Sequence, residues 1–411
     1  MDVQMIDGVR TMQVDMITTV AVAGLLLMLG YYIRRKVPIL ERMCIPAPVI
    51  GGFIFANLVW LLRGTNLLVI EMDVTLQLPF MLAFFTCVGF GGSFKLLKAG
   101  GRLLVVYLVS CWILAVIQNV VGVGLASAMG QNPIMGVMAG TVSLVGGHGN
   151  AAAFGPVAEK LGVEGATTVA VASATYGLVV GSLVGGPLAD YLIKKYHIKI
   201  ETDESGLDMD ALTEKESTQI FSSQNFMAHL TLIFVFMVGG IMFSKFIEGL
   251  GIQNFAIPNY VGAMFIAIIF RNINDKHEIF ELDQKVIDLI LDIGLGFFLT
   301  MAIMTLKIWQ LADLAVPLII ILLVQTVILF LFSRFFVFKL LGKNYDGAVM
   351  TGGFMGWGLG IAATAVVCMS AVCEKYDKRS TKAFLIAPLC GAVFVDVVAI
   401  PTIIFFITKF A

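Results

Sequence analysis

Val145-Gly146-Gly147-His148-Gly149-Asn150-Ala151-Ala152-Ala153 lies between long apolar runs, yet its glycines make it a poor membrane-spanning helix. A second stretch, Gly352-Gly353-Phe354-Met355-Gly356-Trp357-Gly358-Leu359-Gly360-Ile361-Ala362-Ala363, repeats the pattern in the other half of the chain. Irregular backbone at membrane depth survives only where it is buried in protein or lines a watery cavity. Two such interruptions at matching places of two halves point to the binding site of a secondary transporter. The rest of the chain reads as scaffolding for these two loops.

The flanking sequence is that of a membrane protein. Of 411 residues, 59% are hydrophobic and only 13% charged, against roughly 25% charged in soluble proteins. The predicted class is an all-α polytopic membrane protein. At about 20 apolar residues per crossing, spans are predicted near 16–33, 44–62, 76–94, 103–129, 163–193, 226–247, 255–270, 286–306, 314–338 and 380–408. The two glycine-rich stretches, near 134–156 and 346–373, are read as re-entrant hairpins. The first apolar run follows Asp2, Asp7, Arg10 and Asp15 and has no small-residue cleavage site behind it, so it is expected to remain as the first span. The six cysteines (Cys44, Cys87, Cys111, Cys368, Cys373 and Cys390) lack metal-ligand spacing and read as small apolar fillers.

Basic residues orient these spans. With both termini outside, the inner loops carry 20 lysines and arginines, among them Arg34, Arg35, Lys36, Lys194, Lys195 and Lys378. The outer segments carry only Arg10, Arg63, Lys160, Lys245, Lys307 and Lys409, the asymmetry expected of a cytoplasmic face. Arg334 is left to snorkel from the inner end of its helix. The expected division is an outer N-terminal segment (1–15), a first membrane repeat (16–195), a cytoplasmic linker (196–225) and a second repeat (226–409). The linker is the one long polar segment, rich in Asp and Glu.

The halves echo one another. Pro48-Val49-Ile50-Gly51-Gly52 is answered by Pro258-Asn259-Tyr260-Val261-Gly262, Phe84-Phe85-Thr86 by Phe298-Leu299-Thr300, and Gly130-Gln131-Asn132 by Gly342-Lys343-Asn344. Gly147, Gly149, Ala151 and Ala152 are answered by Gly358, Gly360, Ala362 and Ala363. Five spans and a hairpin per half make an odd crossing number, so the second half is inverted, the plan of secondary transporters with the site where the hairpins meet.

Glycine lets a helix end at mid-membrane and lets backbone approach a ligand closely. The substrate carboxylate is expected near Gly147, Gly149, Asn150 and Ala151, because the run after Gly149 reads as a helix start whose free N–H groups suit a carboxylate, with Gly358 and Gly360 facing it. Helices ending at Gly146 and Gly356 would leave carbonyls for a dehydrated Na⁺. The competing reading is that these glycines only permit tight helix packing. Polar residues at membrane depth are costly and commonly functional. Of these, Ser143, His148, Asn150 and Thr364 are candidate substrate contacts, and Asp396 a cation contact. For Gln118 and Gln325, interhelical hydrogen bonding and a site role stay equally open. No nucleophile with a base, paired acids or phosphate loop is visible, so an enzyme is not expected, and neither is a nucleic-acid partner. A channel or membrane-embedded receptor is the alternative from another class.

On these residues the chain resembles the bacterial glutamate:sodium symporter (ESS) family. The likeness runs from Ile45-Pro46-Ala47-Pro48-Val49-Ile50-Gly51-Gly52 through Met81-Leu82-Ala83-Phe84-Phe85, Ala99-Gly100-Gly101-Arg102 and Gly146-Gly147-His148-Gly149. It continues in Thr175-Tyr176-Gly177-Leu178-Val179 and Gly185-Gly186-Pro187, and ends in Gly356-Trp357-Gly358-Leu359-Gly360. The resemblance implies a homodimeric, elevator-type carrier in the inner membrane, importing glutamate with Na⁺ as coupling ion. Related carriers of citrate and other hydroxycarboxylates make another organic anion the second expectation. The chain departs from the family pattern at Val145, Asn150 and Phe354, and in Ala362-Ala363-Thr364.

Overall fold

In the computed structural model, the described residues are 2–6, 9–42, 45–65, 68–95, 101–200, 222–249, 258–309 and 314–411. Asp7, Cys44, Lys98, Ala99, Gly100, residues 201–221 of the expected linker and the first three residues of the expected span 255–270 lie outside them.

The chain opens with a feature the all-α expectation missed. Strands β1 (Asp2–Ile6) and β2 (Val9–Val14) pair antiparallel. After α1 (Met16–Lys36), α2 (Pro38–Arg42) and α3 (Ala47–Gly64), strand β3 (Val69–Met72) returns to pair parallel with β2, Thr11 opposite Val69 and Val14 opposite Met72. Asp15 joins sheet to membrane: its carboxylate accepts from the N–H groups of Ile17 (3.1 Å) and Thr18 (3.0 Å), capping α1. Those bonds hold the Asp15 carboxyl below its usual range, the Thr18 N–H contributing most.

The helices continue as α4 (Gln77–Phe90), α5 (Gly101–Ala128), α6 (Pro133–Val137), α7 (Gly147–Lys160) and α8 (Ala166–Lys195). The second half holds α9 (Ser223–Gly249), α10 (Asn259–His277), α11 (Gln284–Met304), α12 (Ala315–Phe332), α13 (Phe338–Leu340), α14 (Tyr345–Leu359), α15 (Ala362–Tyr376), α16 (Thr381–Leu389) and α17 (Asp396–Phe410).

Seven described helices are long and apolar enough to cross a membrane: α1, α3, α5, α8, α9, α11 and the run from α12 through α13. The other three of the ten expected spans differ, each for a visible reason. Helix α4 has 14 residues, about 21 Å at 1.5 Å per residue and short of a ~30 Å hydrocarbon core. Helix α10 carries Arg271, Asp275 and Lys276 in its last turns. The predicted span 380–408 is not continuous: α16 passes into a π-turn over Cys390–Phe394 before α17 begins at Asp396.

Packing sorts the helices into two groups that cut across the halves. Helices α1, α3, α4, α9, α10 and α11 pack on one another, and α5 to α8 pack with α12 to α17. The groups touch where α7 meets α11 and where α4 meets the π-turn. Exposed apolar side chains such as Leu25 and Met28 on α1, Val238 and Met242 on α9, and Ile319 and Leu323 on α12 give these helices lipid-compatible outer faces.

Candidate functional site

Both glycine stretches are helix–break–helix units, and they are made differently. In the first, the chain leaves α6 through a π-turn (Met138–Val142) in which Gly140 departs from helical geometry at φ −110°, ψ −127°. Gly146 N–H closes back on the Thr141 carbonyl at 3.0 Å, ending this arm. Gly147 then takes φ +62°, a left-handed conformation that glycine adopts without steric cost, and α7 starts there. Gly146, in the N-cap position, supplies no side-chain cap, so the first N–H groups of α7 have no intrahelical partner.

In the second unit α14 runs unbroken to Leu359, and the chain turns at Gly360 (φ −134°, ψ −117°) and Ile361 (φ −139°, ψ 174°) into α15. The arm therefore does not stop at Gly356 as expected. Gly356 is helical and packed: a Cβ there would lie 2.8 Å from Cys368 Sγ and 2.9 Å from the Thr364 carbonyl. The close-packing reading holds at Gly358 too, where a Cβ would meet Leu114 at 2.7 Å and Leu329 at 3.0 Å. The ladder extends along α8, where Cβ atoms at Gly177, Gly181 and Gly185 would lie 1.7, 2.9 and 2.5 Å from the carbonyls of Leu359, Gly356 and Gly352.

The two breaks meet. A Cβ on Gly147 would sit 2.6 Å from Ile361 Cγ2 and 4.0 Å from the Gly360 carbonyl. The N-terminal ends of α7 and α15 thus converge at one point, each carrying partial positive charge, beside the C-terminal carbonyl ends of the first arm and α14. Asn150, in the first turn of α7, folds back against Gly146, and its side chain lies beside the Asp396 carboxyl at the start of α17. His148 Nε2 lies 3.0 Å from Thr175 Oγ1. That hydroxyl donates to the Val171 carbonyl at 2.9 Å, so Nε2 carries the proton and donates. Nδ1 is left a buried acceptor without a partner among the described residues. Gly149 faces the other helix group: a Cβ there would lie 3.4 Å from the ring of Phe84, which stacks on Phe298 at 6.2 Å.

Of the predicted site residues, Gly146, Gly147, His148, Gly149, Asn150, Gly360 and Asp396 gather at this junction, with Ala151 one step along α7. Ser143 does not present its hydroxyl to a ligand, because it donates to the Met138 carbonyl of its own arm. Thr364 is fully buried, and its hydroxyl accepts from the Ile361 N–H at 3.5 Å. Gln118 Nε2 donates to the Gly358 carbonyl at 2.7 Å, and Gln325 Nε2 to the Gln118 carbonyl at 2.7 Å, which makes both amides bracing for the second break. Ile361 and Phe84, unmarked by any polar signal in the sequence, are the residues it missed. Among the described residues no group of three or more His, Cys, Asp or Glu side chains forms a metal site, so a cation here would rely on carbonyls and Asp396.

The family model described as sodium/glutamate symporter matches residues 12–378. The sodium/glutamate symporter of Escherichia coli strain K12 is 35% identical over 390 residues, covering 93% of this chain and 95% of that protein. The Haemophilus influenzae sodium/glutamate symporter is 36% identical over 386 residues, covering 92% and 94%. This chain belongs to the sodium/glutamate symporter family.

Proposed function

We propose that the protein is a Na⁺-coupled symporter importing glutamate or a similar acidic amino acid by alternating access. The observation that carries this reading is the abutment of Gly147 against Gly360–Ile361. Two helix N-termini there offer N–H groups to a carboxylate, while arm-end carbonyls and Asp396 offer oxygen to Na⁺. The substrate carboxylate sits against Gly147, His148, Gly149 and Asn150, with Gly360 and Ile361 opposite. Na⁺ is held by carbonyls near Gly146 and Leu359 and by Asp396, which Asn150 orients.

The same reading makes the chain an inverted repeat, 16–195 against 226–409, each half with one re-entrant hairpin. On this reading the chain lies in the inner membrane with both termini outside, an orientation that the 20-to-6 bias of basic residues supports. Both broken units lie in the helix group α5–α8 with α12–α17. An elevator movement of that group past α1, α3, α4 and α9–α11, the latter forming a homodimer, is the form of alternating access it favours. The narrow contact between the groups supports it.

Uptake of labelled L-glutamate into proteoliposomes, with and without an inward Na⁺ gradient, tests this directly. Saturable accumulation only with the gradient is the expected result. Gradient-driven uptake abolished by malate or citrate competition reassigns the substrate to hydroxycarboxylates, and unsaturable current overturns the carrier reading.

A further inference from the structure

A cavity of about 480 Å³ lies on the face that carries the N-terminal sheet, between the two helix groups. One wall is α7 and the start of α8; the other is the start of α4, the start of α10 and the end of α11. Its volume is that of an ordinary small-molecule site. Ala152 and Ala153 line it, two to three residues along α7 from Asn150, or roughly 3–5 Å at helical rise. The cavity therefore ends within about one helical turn of the junction of the two breaks.

Its charge is unusual for this face. Of the six basic residues assigned to the outer segments, Lys160 and Lys307 both line this one cavity. They come from opposite walls, Lys160 at the end of α7 and Lys307 just past α11, and both are exposed. Among the described residues neither has an ion-pair partner. The one carboxylate in the lining, Glu159, is engaged, accepting the Thr167 N–H at 3.1 Å. Tyr260, only 3% exposed, is among the lining residues, and its hydroxyl is buried behind the wall without a partner among the described residues. The first turns of α4, α8 and α10 open onto it with partial positive charge, set against the C-terminal ends of α7 and α11, so the two lysines carry the net positive character.

We propose that this cavity is an outer capture site for the anionic substrate, an α-amino dicarboxylate, with Lys160 and Lys307 holding its carboxylates from the two walls before it descends to the breaks. This rests on the symport reading. Two cations on a low-dielectric cleft raise the local concentration of an anion and its rate of arrival, so the pair acts on KM rather than on turnover.

The test is Na⁺-driven L-glutamate uptake by Lys160→Gln, Lys307→Gln and the double variant in proteoliposomes, across a range of impermeant salt. The double variant is expected to raise KM about tenfold or more with maximal rate unchanged, and to lose the salt dependence of KM seen in the parent. Lys→Arg replacements restore KM. Unchanged KM, or a fall in maximal rate alone, overturns the capture site. A parent that takes up no glutamate defeats the symport reading instead. The capture site is then read by labelling Val157→Cys, on the cavity wall, with a membrane-impermeant maleimide: slowing by millimolar succinate that is lost in the double lysine background supports it. Labelling indifferent to succinate overturns it.

Discussion

The two breaks occupy matching places in the two halves, yet they are held by different forces. The first is polar and conformational. Gly147 sits at φ +62°, His148 hydrogen-bonds Thr175, and the Asn150 side chain lies beside the Asp396 carboxyl. The second is a matter of packing. Its glycines in α14 interlock with those of α8, Gln118 from α5 donates to its Gly358 carbonyl while Gln325 from α12 donates to the Gln118 backbone carbonyl, and its turn residue is the apolar Ile361. One break supplies the polar contacts of the site, and the other supplies a rigid wall against which they are aimed.

That contrast can be broken at the packed side first. Gly177→Val would drive a Cβ to 1.7 Å from the Leu359 carbonyl, and backbone cannot yield as a flexible side chain does. Overpacking typically costs about 1–3 kcal/mol, and a clash with fixed backbone puts this one at the upper end, so the expected outcome is loss of folded, monodisperse protein in size-exclusion chromatography. Gly147→Val is the counterpart at the polar side. It forces a β-branched residue into a left-handed conformation at a cost of about 1–3 kcal/mol and into Ile361. Uptake should vanish while expression and elution stay normal; retained transport would remove the junction from the site.

Gln118→Leu leaves the Gly358 carbonyl buried and unpaired, worth about 1–3 kcal/mol. A fall in melting temperature in detergent, with the Na⁺ requirement unchanged, would mark Gln118 as bracing; a change in Na⁺ affinity would give it a direct site role. Asp396→Asn reverses that pattern. Loss of the charge should raise the Na⁺ concentration for half-maximal uptake about tenfold, with little change in melting temperature. Gly149→Ala sharpens the comparison at its mildest point. Its Cβ would meet the Phe84 ring at an ordinary 3.4 Å, so stability should change by less than about 0.5 kcal/mol and transport should persist.

The contrast also separates what local sequence encodes from what neighbours decide. The run Met16–Lys36 is helical because it is long, apolar and free of proline, with its two glycines (Gly24, Gly30) isolated, and it is capped by Asp15 where such runs are capped. The predicted beginning at 16 therefore matches. Within residues 346–373 the helix also breaks, but at Gly360–Ile361 and not at Gly356. Glycine types are identical along that stretch, and only the proximity of Cys368 and Thr364 makes Gly356 a packing residue. Ser143 was chosen by its polarity and depth, yet a carbonyl of its own π-turn takes its hydrogen, which no spacing rule reveals.

By itself, then, the sequence determined the membrane class, the place and type of the long helices, and two interruptions within a few residues of where they occur. Those properties follow from hydrophobic length and from glycine's backbone freedom, both local. The tertiary structure alone decided that β3 returns to β2, that the last span breaks ahead of Asp396, and that helices from both halves interleave into two groups. It also decided that Gly147 meets Ile361, and that Lys160 and Lys307, 147 positions apart in the chain, line one cavity. These depend on contacts between segments far apart in sequence, where close packing selects one partner from many residues of the same type.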